Sequence, residues 1–95
     1  MASETLGPAF ETALDIIDRA MIALHLSVDA IGPFECAEMA RQARDGFAAA
    51  LAVLDDLPHV IQTQEEWIVW HGVATQGHID AIQRLMASQQ NSNRG

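Results

Sequence analysis

Residues 9–31 read AFETALDIIDRAMIALHLSVDAI, and this stretch decides the fold that the rest of the chain completes. Its large apolar side chains recur at spacings of four and three, which is the period of one face of an α-helix. They are Phe10, Leu14, Ile17, Met21, Leu24, Val28 and Ile31. A second, mostly small row flanks the first and consists of Ala9, Ala13, Ile16 and Ala20. A face this wide predicts a helix that packs against more than one neighbour.

Proline and glycine divide the remaining chain into helices. Gly32-Pro33 ends the first helix, and Pro33 can also open the second because its missing N–H is harmless in a first turn. Pro58 disfavours helical geometry at the residue before it, so the second helix should run from about 34 to 56. Its apolar side consists of Cys36, Met39, Ala40, Ala43, Phe47, Ala50, Leu54 and Leu57.

The third helix should begin near residue 64, after a linker over residues 58–63. Thr63 and Glu66 have the spacing of a capping box, in which each side chain bonds a free backbone N–H at the helix start. The helix should reach about Ala87, and the polar residues 88–95 lack periodicity and should form a disordered tail. The fold class is therefore all-α: a three-helix, mostly antiparallel bundle with helices near 9–31, 34–56 and 64–87 in one domain, 1–87.

The charge balance narrows the choice of partners. Thirteen acidic residues against five arginines give a formal net charge of −8, so direct nucleic-acid binding, which needs clustered cations, is not expected. No apolar run reaches the roughly 20 residues of a membrane span. Cys36 is the only cysteine, so no intrachain disulfide can form. We expect a cytoplasmic protein away from membranes, and arginine without lysine or tyrosine is typical of GC-rich bacterial or phage genes.

Two tryptophans and two histidines form the most informative polar pattern. At 100° per residue, Trp67 and Trp70 share a broad face of the third helix with His71 and His78 near its middle. One hypothesis is that these four residues line a groove for a partner helix or a small aromatic ligand, because tryptophan is enriched at interaction hot spots. The alternative, which we favour, is that the histidines lie at the core edge and bond a carboxylate or carbonyl of the facing helix.

Catalytic and metal-binding patterns are missing from the sequence. There is no glycine-rich phosphate loop, no nucleophile elbow and no pair of cysteines. Histidines seven residues apart lie about 10 Å apart along a helix, which is too far to share one metal without other ligands. We therefore predict a protein that is not an enzyme and has no cofactor or metal.

Two apolar pairs lie away from the main apolar faces. Ile22 and Leu26 fall among acidic residues of the first helix, and Val69 and Val73 fall beside Asp80 on the third. Residues four apart are neighbours on a helix surface. Each pair therefore predicts part of a second seam, a line of apolar side chains along which another helix can pack. A homodimer is the commonest way to cover such a seam, and these four residues are the interface candidates.

These patterns favour a non-catalytic protein-interaction module, such as a small acidic adaptor, regulator or inhibitor that uses helix-face contacts with another protein. Two alternatives stay open at this point. A ligand-binding bundle would use the Trp/His groove, and an acidic nucleic-acid mimic would need its carboxylates in regularly spaced rows.

Overall fold

The computed structural model describes the backbone of residues 6–94 and the side chains of residues 6–90. Its secondary structure is four α-helices: α1 (Gly7–Asp29), α2 (Pro33–Asp55), α3 (His59–Gln62) and α4 (Glu65–Arg94). The all-helical prediction is confirmed for the described residues, and they contain one helix more than expected. Within 6–94 no helix is long and apolar enough to cross a membrane. Residues 1–5 of the expected N-terminal lead lie outside the described residues.

Proline positions the starts of the first two helices. Each of α1 and α2 carries a proline in its first two positions, where no helical hydrogen bond needs its N–H. Ala30 has an extended backbone that ends α1, and only three residues separate α1 from α2. The predicted stop at Gly32-Pro33 is thus confirmed.

The expected linker at 58–63 contains the short helix α3, and this changes the role of Thr63. Thr63 is the C-cap of α3, and its hydroxyl donates to the carbonyl of Val60 at 2.9 Å. The predicted capping box with Glu66 is therefore wrong: α4 begins at Glu65, two residues after Thr63.

Small residues dominate the buried faces of the three long helices. The buried rows are Phe10, Ala13, Ile17, Ala20, Ala23 and Ser27 in α1, Ala40, Ala43, Phe47, Ala50 and Leu54 in α2, and Ala74, Gly77, Ala81, Leu85 and Ser88 in α4. Two glycines mark the closest approaches. A Cβ built on Gly46 would lie 2.9 Å from the Cβ of Ala20, and one built on Gly77 would lie under 3.0 Å from the Phe47 ring. At these two positions the helices leave no room for a larger side chain.

The predicted apolar face of α2 is confirmed, and the predicted face of α1 is confirmed in part, since Phe10 and Ile17 are buried as expected. Met21, Val28 and Ile31 are 37%, 53% and 99% exposed, whereas Ala20 and Ala23 are buried. The reason is the close approach at Gly46, which admits an alanine and excludes a large side chain. The helix is consequently rotated toward its small residues.

The third long helix continues beyond the boundary predicted at Ala87. It runs to Arg94, and Ser88 is 2% exposed, with its hydroxyl donating to the carbonyl of Leu85 at 2.9 Å. The predicted helix end is therefore wrong, because Ser88 contributes to the buried row. Gly95, also assigned to the tail, lies outside the described residues.

The helices form a narrow molecule about one helix pair wide. Its extents are 58 × 16 × 16 Å, and α2 packs closely on both α1 and α4 while α1 and α4 touch each other much less. Large parts of the outer faces of α1 and α4 therefore stay free of other helices.

Candidate functional site

Trp67, one of the predicted binding residues, lies near the start of α4 beside the end of α2. Its indole Nε1 donates a hydrogen bond to the carbonyl of Leu54 at 3.0 Å. Its ring stacks on His71, one helical turn further on, with ring centroids 4.5 Å apart and an interplanar angle of 20°. The polar end of this tryptophan is thus used inside the molecule.

His71 extends the same cluster to the surface of α2. Its Nε2 lies 3.0 Å from Oδ1 of Asp55, and since a carboxylate only accepts, the imidazole donates. The side chains are 31% and 64% exposed, so the contact stabilises the fold by at most about 1 kcal/mol. The structure gives His71 the carboxylate partner that the core-edge interpretation requires.

These contacts close the end of α2. The last carbonyls of an α-helix have no partner within the helix. Leu54 receives the Trp67 N–H, and the Gln62 side-chain amide donates to the carbonyls of Asp55 and Leu57. Together, α3 and the first turns of α4 act as a cap for α2.

The other two predicted residues do not join this cluster through hydrogen bonds. Trp70 is half-buried and packs against the core, and His78 is half-buried two turns beyond His71. In the described part of the chain, no three His, Cys, Asp or Glu side chains converge on a possible metal position. Partner or ligand binding by Trp67, Trp70, His71 and His78 stays a prediction.

The four predicted interface residues differ in exposure. Ile22, Leu26 and Val69 are 58%, 51% and 53% exposed, whereas Val73 is half-buried and packs against the core. Their role in self-association stays a prediction, and Val73 has less free surface to contribute than the other three.

A cleft at the turn between α1 and α2 combines apolar side chains with carboxylates. We call it the turn cleft, and its lining residues are Leu26, Asp29, Ala30, Ile31, Glu35 and Met39. Ile31 is 99% exposed and Leu26 is 51% exposed. No described residue forms an ion pair or side-chain hydrogen bond with Asp29 or Glu35. An apolar lining with two unpaired carboxylates is suited to a ligand that carries both apolar and basic groups.

No family model matches this chain. Comparison with curated proteins and with solved structures likewise finds no significant match.

Sequence reasoning missed the turn cleft because it assigned Ile31 to the core face of α1. The position of Ile31 next to the turn could have indicated that it is exposed. Ile31 and Phe34 flank Gly32-Pro33, and they are 99% and 82% exposed. Large apolar residues next to a tight turn lie beyond the packed length of both helices, where the core cannot cover them.

Proposed function

We propose that this chain is a non-catalytic protein-interaction module, a small acidic adaptor, regulator or inhibitor that binds a basic region of another protein. The observation that carries the proposal is the turn cleft, where Ile31 and Leu26 are exposed beside the unpaired carboxylates of Asp29 and Glu35. Scattered exposed aliphatic residues are ordinary, but a cluster with a charged rim is typical of binding sites.

The binding surface continues along α1. Ile22 lies one turn before Leu26 and is 58% exposed, so the apolar surface extends from the cleft onto the helix face. Removing one such side chain from water contributes about 1.5–3 kcal/mol before the costs of association are subtracted. The net charge of −8 would accelerate association with a positively charged partner.

The proposal includes an antiparallel arrangement of the three long helices. In support, only three residues connect α1 to α2, and Trp67 early in α4 bonds Leu54 late in α2. Further along α4, Gly77 lies against Phe47, which is earlier in α2. This arrangement would hold the turn cleft and the Trp67 cluster at opposite ends of α2.

We place the protein in the cytoplasm and expect no cofactor. A single cysteine, Cys36, fits a reducing compartment, although it does not require one. The proposed mechanism is occupation of the partner's basic surface, so it needs no reactive group.

The proposal is tested by capture and reconstitution. Tagged protein is used to capture partners from the source organism, with Leu26→Ser/Ile31→Ser and Val60→Ser as matched variants. Val60 is 67% exposed on α3, so its substitution removes a comparable exposed side chain elsewhere. A partner identified by mass spectrometry is then purified and titrated by calorimetry. The cleft variant should bind at least tenfold more weakly, because two apolar contacts are lost, while Val60→Ser should bind like the unmodified protein.

A second pair of variants tests the charged rim. Asp29→Asn/Glu35→Gln should weaken the same complex and reduce its dependence on salt, since unpaired carboxylates act through screened charge. Circular dichroism checks that each variant stays helical. Equal affinity of the cleft variant and the unmodified protein for the captured partner would overturn the proposal.

A further inference from the structure

The outer face of α4 carries an apolar strip that no other helix covers. Its members are Ile68, Gly72, Thr75, Ile79, Ile82 and Met86, at alternating spacings of four and three. Ile68, Ile79 and Met86 are 56%, 43% and 55% exposed, and Ile82 is half-buried. We call this face the α4 strip. Its spacing is that of a helix seam, in which every member faces a neighbouring helix.

Charge distinguishes the α4 strip from the turn cleft. Between Trp67 and Gln90 the only acidic or arginine residues of α4 are Asp80 and Arg84. Asp80 lies about 100° around the helix from Ile79 and accepts a hydrogen bond from the Gln76 amide at 2.9 Å. Arg84 lines a different pocket, together with the end of α1. No member of the strip is a carboxylate, and from Gly72 onward the exposed side chains beside it are mainly glutamine. At the Ile68 end, Glu65 lies one turn earlier, and Asp55 bonds His71 beside the strip.

We propose that the α4 strip binds the same strip of a second copy of this chain. Two chains of net charge −8 repel each other, so a contact between copies is favoured where carboxylates are fewest. A basic partner would gain nothing from this uncharged face and is drawn instead to acidic surfaces. The Ile22–Leu26 pair is poorly suited to self-association, because Asp18 and Asp29 lie beside it on α1.

The order of residues along the strip fits a two-fold axis. Antiparallel pairing centred near Gly77 places Ile68 opposite the partner's Met86, Gly72 opposite the partner's Ile82, and Thr75 opposite the partner's Ile79. Each of the inner pairs combines a smaller residue with a larger one, which lets two helices interdigitate. A two-fold contact repeats each pair, so a single strip supplies both sides of the interface.

The small area of the strip limits how tightly two copies can bind each other. Ile68 and Met86 are 18 residues apart, about 27 Å along the helix axis, and a helix is about 10 Å wide. The resulting footprint of about 270 Å² is well below the roughly 800 Å² that each partner buries in a standard interface. We expect a weak, reversible dimer, separate from the binding proposed for the turn cleft.

Sedimentation equilibrium from low micromolar to submillimolar concentration tests this dimer. Ile79→Glu should weaken dimerisation at least tenfold, because it places a charge within the seam. Val69→Glu is the matched control, since Val69 is 53% exposed on the same helix but outside the strip. Circular dichroism confirms that the variants are folded, and Ile68→Glu serves in place of Ile79→Glu if that variant loses helix.

A mixture of two variants tests the register. Thr75→Lys and Ile79→Glu should each be monomeric alone, and should form a mixed dimer together because the proposed pairing brings lysine opposite glutamate. A monomeric unmodified protein at submillimolar concentration would overturn the proposal. So would a dimer that Val69→Glu dissociates and Ile79→Glu does not, or the absence of a mixed dimer.

Discussion

At the scale of single residues, the cluster around Trp67 shows how ambiguous side chains acquire structural roles. A tryptophan and a histidine four residues apart fit a binding groove as well as a core edge. In the structure, Trp67 bonds the Leu54 carbonyl and His71 bonds Asp55, so both side chains tie α4 to the end of α2. The hydrogen bonds to α2 distinguish this role from that of a free groove.

Trp67→Phe should destabilise the protein more than Trp70→Phe. Both substitutions remove a similar apolar area, but only Trp67 donates a hydrogen bond to Leu54. The excess loss should be about 1–1.5 kcal/mol, which corresponds to roughly 4–12 °C in melting temperature. Thermal unfolding followed by circular dichroism measures the difference. Equal losses for the two variants would show that the indole N–H contributes nothing.

At the scale of helices, close approach determines which face is buried. Gly46 faces Ala20 and Gly77 faces Phe47, and each glycine lets a helix pair come nearer than larger residues would allow. The ring of Phe47 is fully buried against α4, so it has little freedom to move away. Small residues at these positions therefore stabilise the packing although they contribute little apolar area themselves.

Gly77→Ala should destabilise the protein by about 1–3 kcal/mol, because the added methyl group would overlap the Phe47 ring. Gly72→Ala, measured at a concentration where the protein is monomeric, is the matched control in the same helix. A Cβ at Gly72 meets nothing within 4 Å, so the higher helix propensity of alanine should stabilise the protein by up to about 1 kcal/mol. Urea denaturation measures both changes, and stabilisation by Gly77→Ala would contradict the close approach.

The same packing explains what the sequence could predict. The face of α2 was predictable because its large residues, Phe47 and Leu54, lie on the side that is also packed closely. The face of α1 was predictable only in part. Ile17 and Ala20 are buried as expected. Hydrophobic periodicity also favours Met21 and Val28, which stay exposed because α2 approaches α1 closely at Gly46. Periodicity along one chain contains no information on how near a second helix comes.

The candidate sites also differ in how much of each the sequence could predict. The sequence indicated that His71 and His78 would each bond a carboxylate or carbonyl of the facing helix, and Asp55 is such a partner for His71. It did not indicate the turn cleft, which arises only when Leu26, Ile31 and Met39 are brought together by the turn between α1 and α2. Whether a side chain at the end of a bundle is exposed depends on where the neighbouring helices end, and one helix's sequence does not contain that information.

For the molecule as a whole, charge distinguishes the two apolar surfaces that no other helix covers. The turn cleft at one end of α2 has Asp29 and Glu35 among its lining residues, whereas the α4 strip carries no carboxylate. In the proposed dimer, two turn clefts would belong to one particle. Two linked sites bind a repeated or dimeric partner more tightly than either site alone, if the geometry permits both contacts.

Site-specific photocrosslinking in the source organism tests this division most directly. A benzoylphenylalanine residue replaces Ile31 in the turn cleft, Ile68 in the α4 strip or Val60 on α3, all of which are more than half exposed. We predict an adduct with a different protein from position 31, an adduct with a second copy of this chain from position 68, and neither from position 60. Adducts with a different protein from position 60 or 68, and none from position 31, would contradict the turn cleft as the binding site.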